Sequence, residues 1–236
     1  MNCLQYTPVR PLIAFDFDST LVSVESFDLL ADHALKTQVA GDDRKNIDER
    51  LHEITHRAMN GEMAMDDAIR ERFSLVRIHR NHVQEIAIDV TKTITSGMIN
   101  LLNDLRTRDC DVILLSGGIL DLIIPTATML GFDASTIFAN TLVYDADDCM
   151  RGYQDHPLCK SDGKEKVLRA LKEKQKPSCI IMIGDGMTDA LPWQHGVADA
   201  FIGCGIHVLR PSVANIAPSI ARTMHELSSH LTKLLL

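Results

Sequence analysis

The chain has 236 residues, 45% apolar and 24% charged, which is ordinary globular usage and long enough to bury a sizeable core as one large domain or as a core with a smaller satellite. No low-complexity tract or Pro/Gly/Ser linker interrupts it. A formal charge of -8 at pH 7, without clustered Lys and Arg, argues against a nucleic-acid partner, whereas a small anionic substrate stays open if a metal ion or a few convergent cations make its site locally positive.

In chain order, the first apolar run is Leu12 to Phe17, with only about ten residues before it and a charge cutting into it, so neither a signal peptide nor a membrane-spanning helix fits. Further runs at Val112 to Leu115, Ile180 to Ile183 and Ala200 to Ile202 also end at polar or glycine-rich turns, as buried parallel strands do. Helical patterns at Ser96 to Thr107, Ile119 to Leu130 and Gly163 to Lys174 lie between them. This alternation predicts an α/β fold, a doubly wound and mostly parallel sheet. The stretch from Val24 to Asp89 breaks the alternation and reads as several charged amphipathic helices. Placed directly after the first strand, they form a small bundle over that strand's carboxyl end, where open α/β sheets bind ligands. The corresponding division is a core of residues 1–22 and 93–236 and a helical cap of residues 23–92. A short hairpin is expected between Tyr144 and Leu158. Cys3, Cys110, Cys149, Cys159, Cys179 and Cys204 include no CxxC pair, and without a secretory signal they read as reduced thiols of a cytosolic protein.

Chemistry gathers at the strand ends. The first strand runs into Asp16-Phe17-Asp18-Ser19-Thr20, and residues i and i+2 of an extended strand face the same way. Paired carboxylates there can hold Mg²⁺, attack phosphorus or exchange protons with a leaving group, although alone such a pair is more often a charged turn. Ser116-Gly117-Gly118 follows the second apolar run and opens a helix, so a hydroxyl and free backbone N–H groups are available to a phosphoryl group. Lys164 stands at the start of a helix, and Gly184-Asp185-Gly186-Met187-Thr188-Asp189 adds two carboxylates after the third run. Each element is modest by itself, but four carboxylates, a serine and a lysine at one sheet edge are hard to obtain by accident.

This order of motifs, DxDST, SGG, a lysine and GDGxxD, resembles the haloacid dehalogenase superfamily from Leu12 to about Ile202, and within it the phosphoserine phosphatases. The resemblance implies a Mg²⁺-dependent phosphomonoesterase acting on O-phospho-L-serine, the last step of serine biosynthesis, with Asp16 as nucleophile and Asp18 as acid and base. It implies Ser116, Gly117, Gly118 and Lys164 on the phosphoryl group, metal held by Asp16, Asp18 (through its carbonyl) and Asp185, and Asp189 orienting that site. Glu25, Met59 and Arg72 of the helical insertion are the implied substrate contacts, with Thr188, Asn140 and Arg210 as further ones. Thr188 stands where many members carry Asn, and Asn60 replaces a common Gly. Glu25 suits an ammonium and Arg72 a carboxylate. The expected partners are this small molecule and, as an open option, a second copy in a homodimer.

His52-Glu53-Ile54-Thr55-His56 matches the HExxH pattern of zinc proteases. Its charged neighbours mark a solvated helix face, and the match is read as chance. The alternatives carried are the same chemistry on another small phosphomonoester and a non-catalytic binding module on the same fold.

Overall fold

A computed structural model of the protein describes residues 9–38 and 42–236. Its strands are β1 (Leu12–Phe15), β2 (Asp111–Ile119), β3 (Ile137–Asn140), β4 (Leu142–Tyr144), β5 (Met150–Tyr153), β6 (Ile180–Gly184), β7 (Ala200–Cys204) and β8 (Ser219–Ala221). Its helices are α1 (Ser26–Gln38), α2 (Asp42–Met59), α3 (Met65–Leu75), α4 (Arg80–Thr91), α5 (Met98–Thr107), α6 (Leu120–Met129), α7 (Gly163–Gln175), α8 (Met187–Gln194), α9 (Pro211–Ala214) and α10 (Met224–Leu234).

Six strands form one parallel sheet in the order β3-β2-β1-β6-β7-β8. Because β1 pairs with β2 on one side and β6 on the other, the chain winds outward from β1 in both directions, and the crevice opens at its carboxyl end. Every residue of β1 is fully buried, and the alternation along it explains why. Ile13 and Phe15 join the core that contains α1, α4, α5, α6 and α10, whereas Leu12 and Ala14 join the core against α7, α8 and α9. A strand covered on both faces has to be apolar at every position.

The helical insertion is present as α1 to α4, between β1 and α5. Its entry and exit segments touch, since Val22 and Ile94 form an isolated antiparallel bridge and Ser23 N–H donates to the Thr93 carbonyl at 2.9 Å. The inner sides of α1 and α4, among them Leu30, Ala34, Val83 and Val90, belong to the same apolar cluster as Phe15 and Leu114 of the sheet.

Three expectations change in detail. The first strand ends at Phe15, not Phe17, and the chain then makes one wide helical turn over Phe17–Leu21, closed by Val22 N–H donating to the Phe17 carbonyl at 3.1 Å. The hairpin begins earlier than Tyr144, with β4 pairing antiparallel to β5. The edge strands β3 and β8 were not anticipated, because three or four residues such as Ser219–Ala221 are too short for an apolar period to register; the helix α10, eleven residues long with Leu227 and Leu231 buried, was missed although its period is present. Cys110, Cys149, Cys159, Cys179 and Cys204 are free thiols, and Cys3 lies outside the described residues. No helix among the described residues is long and apolar enough to cross a membrane.

Candidate active site

The carboxyl ends of β1, β2 and β6 and the inner face of the helical insertion enclose a cavity of about 40 Å³. Asp16, Asp18, Ser116, Gly117, Gly118, Lys164 and Thr188 line it from the sheet side, and Glu25, Met59 and Arg72 from the helical side. Ten of the residues singled out in the sequence therefore meet in one place.

Asp16 and Asp18 both reach the cavity, though not as neighbours in a strand. Asp16 (φ -68°, ψ 163°) and Asp18 (φ -64°, ψ 141°) keep extended backbone at the start of the turn, and Ser19 follows at φ 51°. That left-handed serine is held by its N–H donating to the Val24 carbonyl at 3.1 Å and its hydroxyl donating to Glu25 Oε1 at 2.8 Å. An unfavourable backbone conformation kept at such a turn is a common mark of a functional segment. The N-terminus of α1 approaches as well, with Ser26 N–H donating to Asp18 Oδ1 at 2.8 Å.

Lys164, at the first turn of α7, is a buried bridge. Its Nζ donates to Asp16 Oδ1 at 2.6 Å and to Asp189 Oδ1 at 2.5 Å. Burial opposes its charge, but the two aspartates outweigh burial and raise its pKa above the ordinary lysine value. Asp189 is fixed again by Gly186 N–H donating to Oδ2 at 3.0 Å. Gly184 makes room for it, because a Cβ there would stand 2.2 Å from the Asp189 carboxyl carbon. Carboxylate oxygens of Asp16, Asp185 and Asp189 lie within 4.8 Å of one another, and all three residues are buried.

Burial dominates the electrostatics. It pushes Asp18 up to about 8, with the nearby charges of Glu25 and Asp16 adding to it. Asp189 rises to about 7 through burial and Asp16, with Lys164 opposing. Asp185 is raised well above the ordinary value by burial and Glu25. Six carboxyl groups (Asp16, Asp18, Glu25, Asp28, Asp185, Asp189) thus meet three cations (Arg72, Lys164, Arg210) in and around the cavity. Such an excess of oxygen donors suits a hard divalent cation.

Near the end of β2, which runs through the Ser116-Gly117-Gly118 segment, Gly118 N–H donates to Ser116 Oγ at 2.9 Å, and a Cβ on Gly118 would come within 3.2 Å of Asp18 Oδ2. Asn140 is fully buried but does not line the cavity, since its amide donates to the Gly117 carbonyl at 2.9 Å and to the Leu158 carbonyl at 3.2 Å. Arg210 also stands behind the lining, donating from Nε to Asp185 Oδ2 at 2.7 Å and from Nη2 to Glu25 Oε1 at 2.8 Å. Arg72 lies over the Phe27 ring, 5.0 Å from its centroid, and donates from Nη2 to Thr55 Oγ1 at 3.0 Å. Phe27, Asp28, Met65 and Tyr153 complete the wall and were not singled out in the sequence. Asp28 carried a signal, lying in the first turn of α1 three residues beyond Glu25, whose carbonyl its N–H meets at 3.1 Å, whereas Tyr153 comes from the hairpin and carried none.

The HExxH histidines stay outside. The His52 side chain is 61% exposed, its Nδ1 lies 2.9 Å from the Asp48 carbonyl, and among the described residues neither His52 nor His56 belongs to a group able to hold a metal.

A family model described as haloacid dehalogenase-like hydrolase matches residues 11–192. The chain is 35% identical over 208 residues to phosphoserine phosphatase of Homo sapiens, covering 87% of this chain and 86% of that protein. Among solved structures, it is similar to a phosphoserine phosphohydrolase-like protein from Francisella tularensis, with a TM-score of 0.85, 26% identity, and coverage of 94% of this chain and 99% of the other. A substrate-bound phosphoserine phosphatase complex superposes with a TM-score of 0.78 over 96% of this chain and 99% of that one, a likeness of fold at 23% identity.

Proposed function

The chain belongs to the haloacid dehalogenase-like hydrolases, and we propose that within them it is a phosphoserine phosphatase, releasing L-serine and phosphate from O-phospho-L-serine as the last step of serine biosynthesis. The observation that carries this reading is the pairing of Asp16, Lys164 and the aspartate cluster on the sheet side with Glu25 and Arg72 on the helical side of one cavity. The 35% identity to the human enzyme over 87% of the chain supports the same substrate.

Asp16 attacks phosphorus in line, forming an aspartyl-phosphate and releasing the serine alkoxide. Asp18, still protonated near neutrality because of its burial, supplies the proton that alkoxide needs. It then takes one from the water that hydrolyses the aspartyl-phosphate, so one carboxyl group serves both halves of the reaction. Ser116 and Lys164, with the N–H groups of Gly117 and Gly118, hold the phosphoryl oxygens and stabilise the charge spread over them. Asp16, Asp185 and the Asp18 carbonyl would hold Mg²⁺, which would supply positive charge against the repulsion between two anions. Asp189 orients Lys164 and that cluster. Glu25 receives the ammonium of the substrate and Arg72 its carboxylate, with Met59 and Thr188 completing the wall; Asn140 acts by bracing Gly117 at the end of β2 and Arg210 by bracing Glu25 and Asp185.

In this reading residues 23–92 are a cap that opens to admit substrate. A cavity of about 40 Å³ has room for roughly three waters, less than phosphoserine occupies, and the touching entry and exit segments at Val22 and Ile94 are its natural hinge.

The test is phosphate release from O-phospho-L-serine, with and without Mg²⁺, by the wild type, Asp16→Asn and Arg72→Ala. Release that needs Mg²⁺, vanishes in Asp16→Asn and falls in Arg72→Ala supports the reading. Activity that survives Asp16→Asn removes the nucleophile assignment, and a stronger preference for a phosphate ester that is not an amino acid removes the substrate.

A further inference from the structure

Arg72 is held in an unusual way for a buried guanidinium. It is 7% exposed, yet among the described residues it has no carboxylate within ion-pair distance. Its Nη2 donates instead to the hydroxyl of Thr55 on α2, and that hydroxyl lies 2.9 Å from Asp28 Oδ1 on α1. Meanwhile Arg72 Nε is buried without a hydrogen-bond partner. A guanidinium cannot give up its protons, so Thr55 must accept from Arg72, and its single hydrogen is left to donate elsewhere. The Leu51 carbonyl at 3.1 Å and the Asp28 carboxyl group at 2.9 Å compete for it, and the Asp28 contact is the shorter.

Three helices of the insertion thus send one side chain each into a line, Asp28 to Thr55 to Arg72. The Phe27 ring supports the face of the guanidinium and Thr55 anchors one edge. The unpartnered Nε marks a donor whose partner has to come from elsewhere, because a buried charged donor left unpaired is costly.

We infer that Asp28 and Thr55 are positioning residues for substrate selection: the anchored hydroxyl sets the plane of Arg72 so that its free donors meet a substrate carboxylate. The inference rests on the reading of Arg72 given above. It predicts that the pair matters in proportion to the carboxylate and not to the phosphoryl chemistry.

The experiment compares O-phospho-L-serine with O-phosphoethanolamine, the same molecule without the carboxylate, at saturating Mg²⁺. The variants are Thr55→Val, which keeps shape and removes the hydroxyl, Thr55→Ser, which restores it, Asp28→Asn, Arg72→Ala and the double Thr55→Val/Arg72→Ala. Loss of a hydrogen bond to a charged group predicts a fall of about tenfold or more in the ratio of kcat/KM on phosphoserine to that on phosphoethanolamine for Thr55→Val. The loss is carried mostly by KM on phosphoserine. A smaller fall is expected for Asp28→Asn, recovery for Thr55→Ser, and no further fall in the double variant beyond Arg72→Ala. Equal losses on both substrates, or additive losses in the double variant, would overturn the inference while leaving the phosphatase reading intact. A wild type with no preference between the two substrates would overturn both. Where Thr55→Val fails to fold, Asp28→Asn and Thr55→Ser decide the question by the same ratio.

Discussion

Glu25 and Asp185 hang on a single guanidinium, that of Arg210, at 2.8 and 2.7 Å. One oxygen of each carboxylate is spent there, since Glu25 Oε1 also receives the Ser19 hydroxyl, and the other oxygen of each is left for a ligand. Arg210→Ala should therefore weaken metal binding and substrate binding together. Removing a group that orients a ligating carboxylate typically costs 10–100-fold, so the Mg²⁺ concentration giving half-maximal phosphate release should rise by about that factor, with Arg210→Lys between variant and wild type. An unchanged Mg²⁺ requirement would mean that Arg210 serves only to pack α9 against the sheet.

The raised carboxyl groups make a prediction about pH. Folded Asp18 (about 8), Asp189 (about 7) and Asp185 (well above the ordinary 3.8) keep protons that the unfolded chain has already lost above about pH 4. The folded state then binds more protons than the unfolded one. Stability from these groups is complete below the ordinary carboxyl range and declines as pH rises toward about 7 and 8. A cation held at Asp185 has the opposite preference, because it needs that carboxylate ionised. Thermal unfolding in EDTA and in excess Mg²⁺ should show a Tm gain that grows between about pH 6 and pH 8.5. A gain that shrinks over that range would show that Mg²⁺ binds elsewhere.

Gly184→Ala should be far more damaging than its size suggests. The added methyl would stand 2.2 Å from the Asp189 carboxyl, which is fully buried and bonded to Lys164. Overpacking of this kind costs typically about 1–3 kcal/mol, and relief requires moving Asp189 and Lys164 with it. We expect a lower Tm and loss of phosphate release. Gly196→Ala is the control: φ is +70° but nothing lies within 4 Å, so only the left-handed strain of about 1–2 kcal/mol is felt and activity persists.

The HExxH pair should prove inert. His52→Ala and His56→Ala are expected to keep kcat/KM on phosphoserine within about twofold, as exposed substitutions do, and elemental analysis should find no stoichiometric zinc. Zinc lost together with activity in His52→Ala would reverse this.

What was legible in the sequence, and what was not, follows from how each feature is encoded. β1, β2, β6 and β7 are covered on both faces, so they read as unbroken apolar runs, and the site residues follow them at fixed offsets. Thr55 and Tyr153 could not be read the same way. Their importance lies in which element faces which, Thr55 on α2 against Arg72 on α3 and Tyr153 of β5 against the cavity, and such pairing leaves no mark on spacing. Thr55 even sat inside a motif that pointed to different chemistry. Asn140 and Arg210 were found by pattern, but their place behind the lining depends on β3 and α9, short elements with too few residues to show a period.

The central position of β1 also orders events during synthesis. Asp16 leaves the ribosome well before the two strands that secure its own, β2, beginning at Asp111, and β6, beginning at Ile180. Parallel neighbours so distant along the chain pair slowly, because the intervening loops must close first. Until they do, Leu12–Phe15 is an apolar strand with two open edges, the kind of segment that invites association with other chains. The nascent protein thus depends on β6 to hide what β1 exposes, and a chain released before Ile180 is both inactive and sticky.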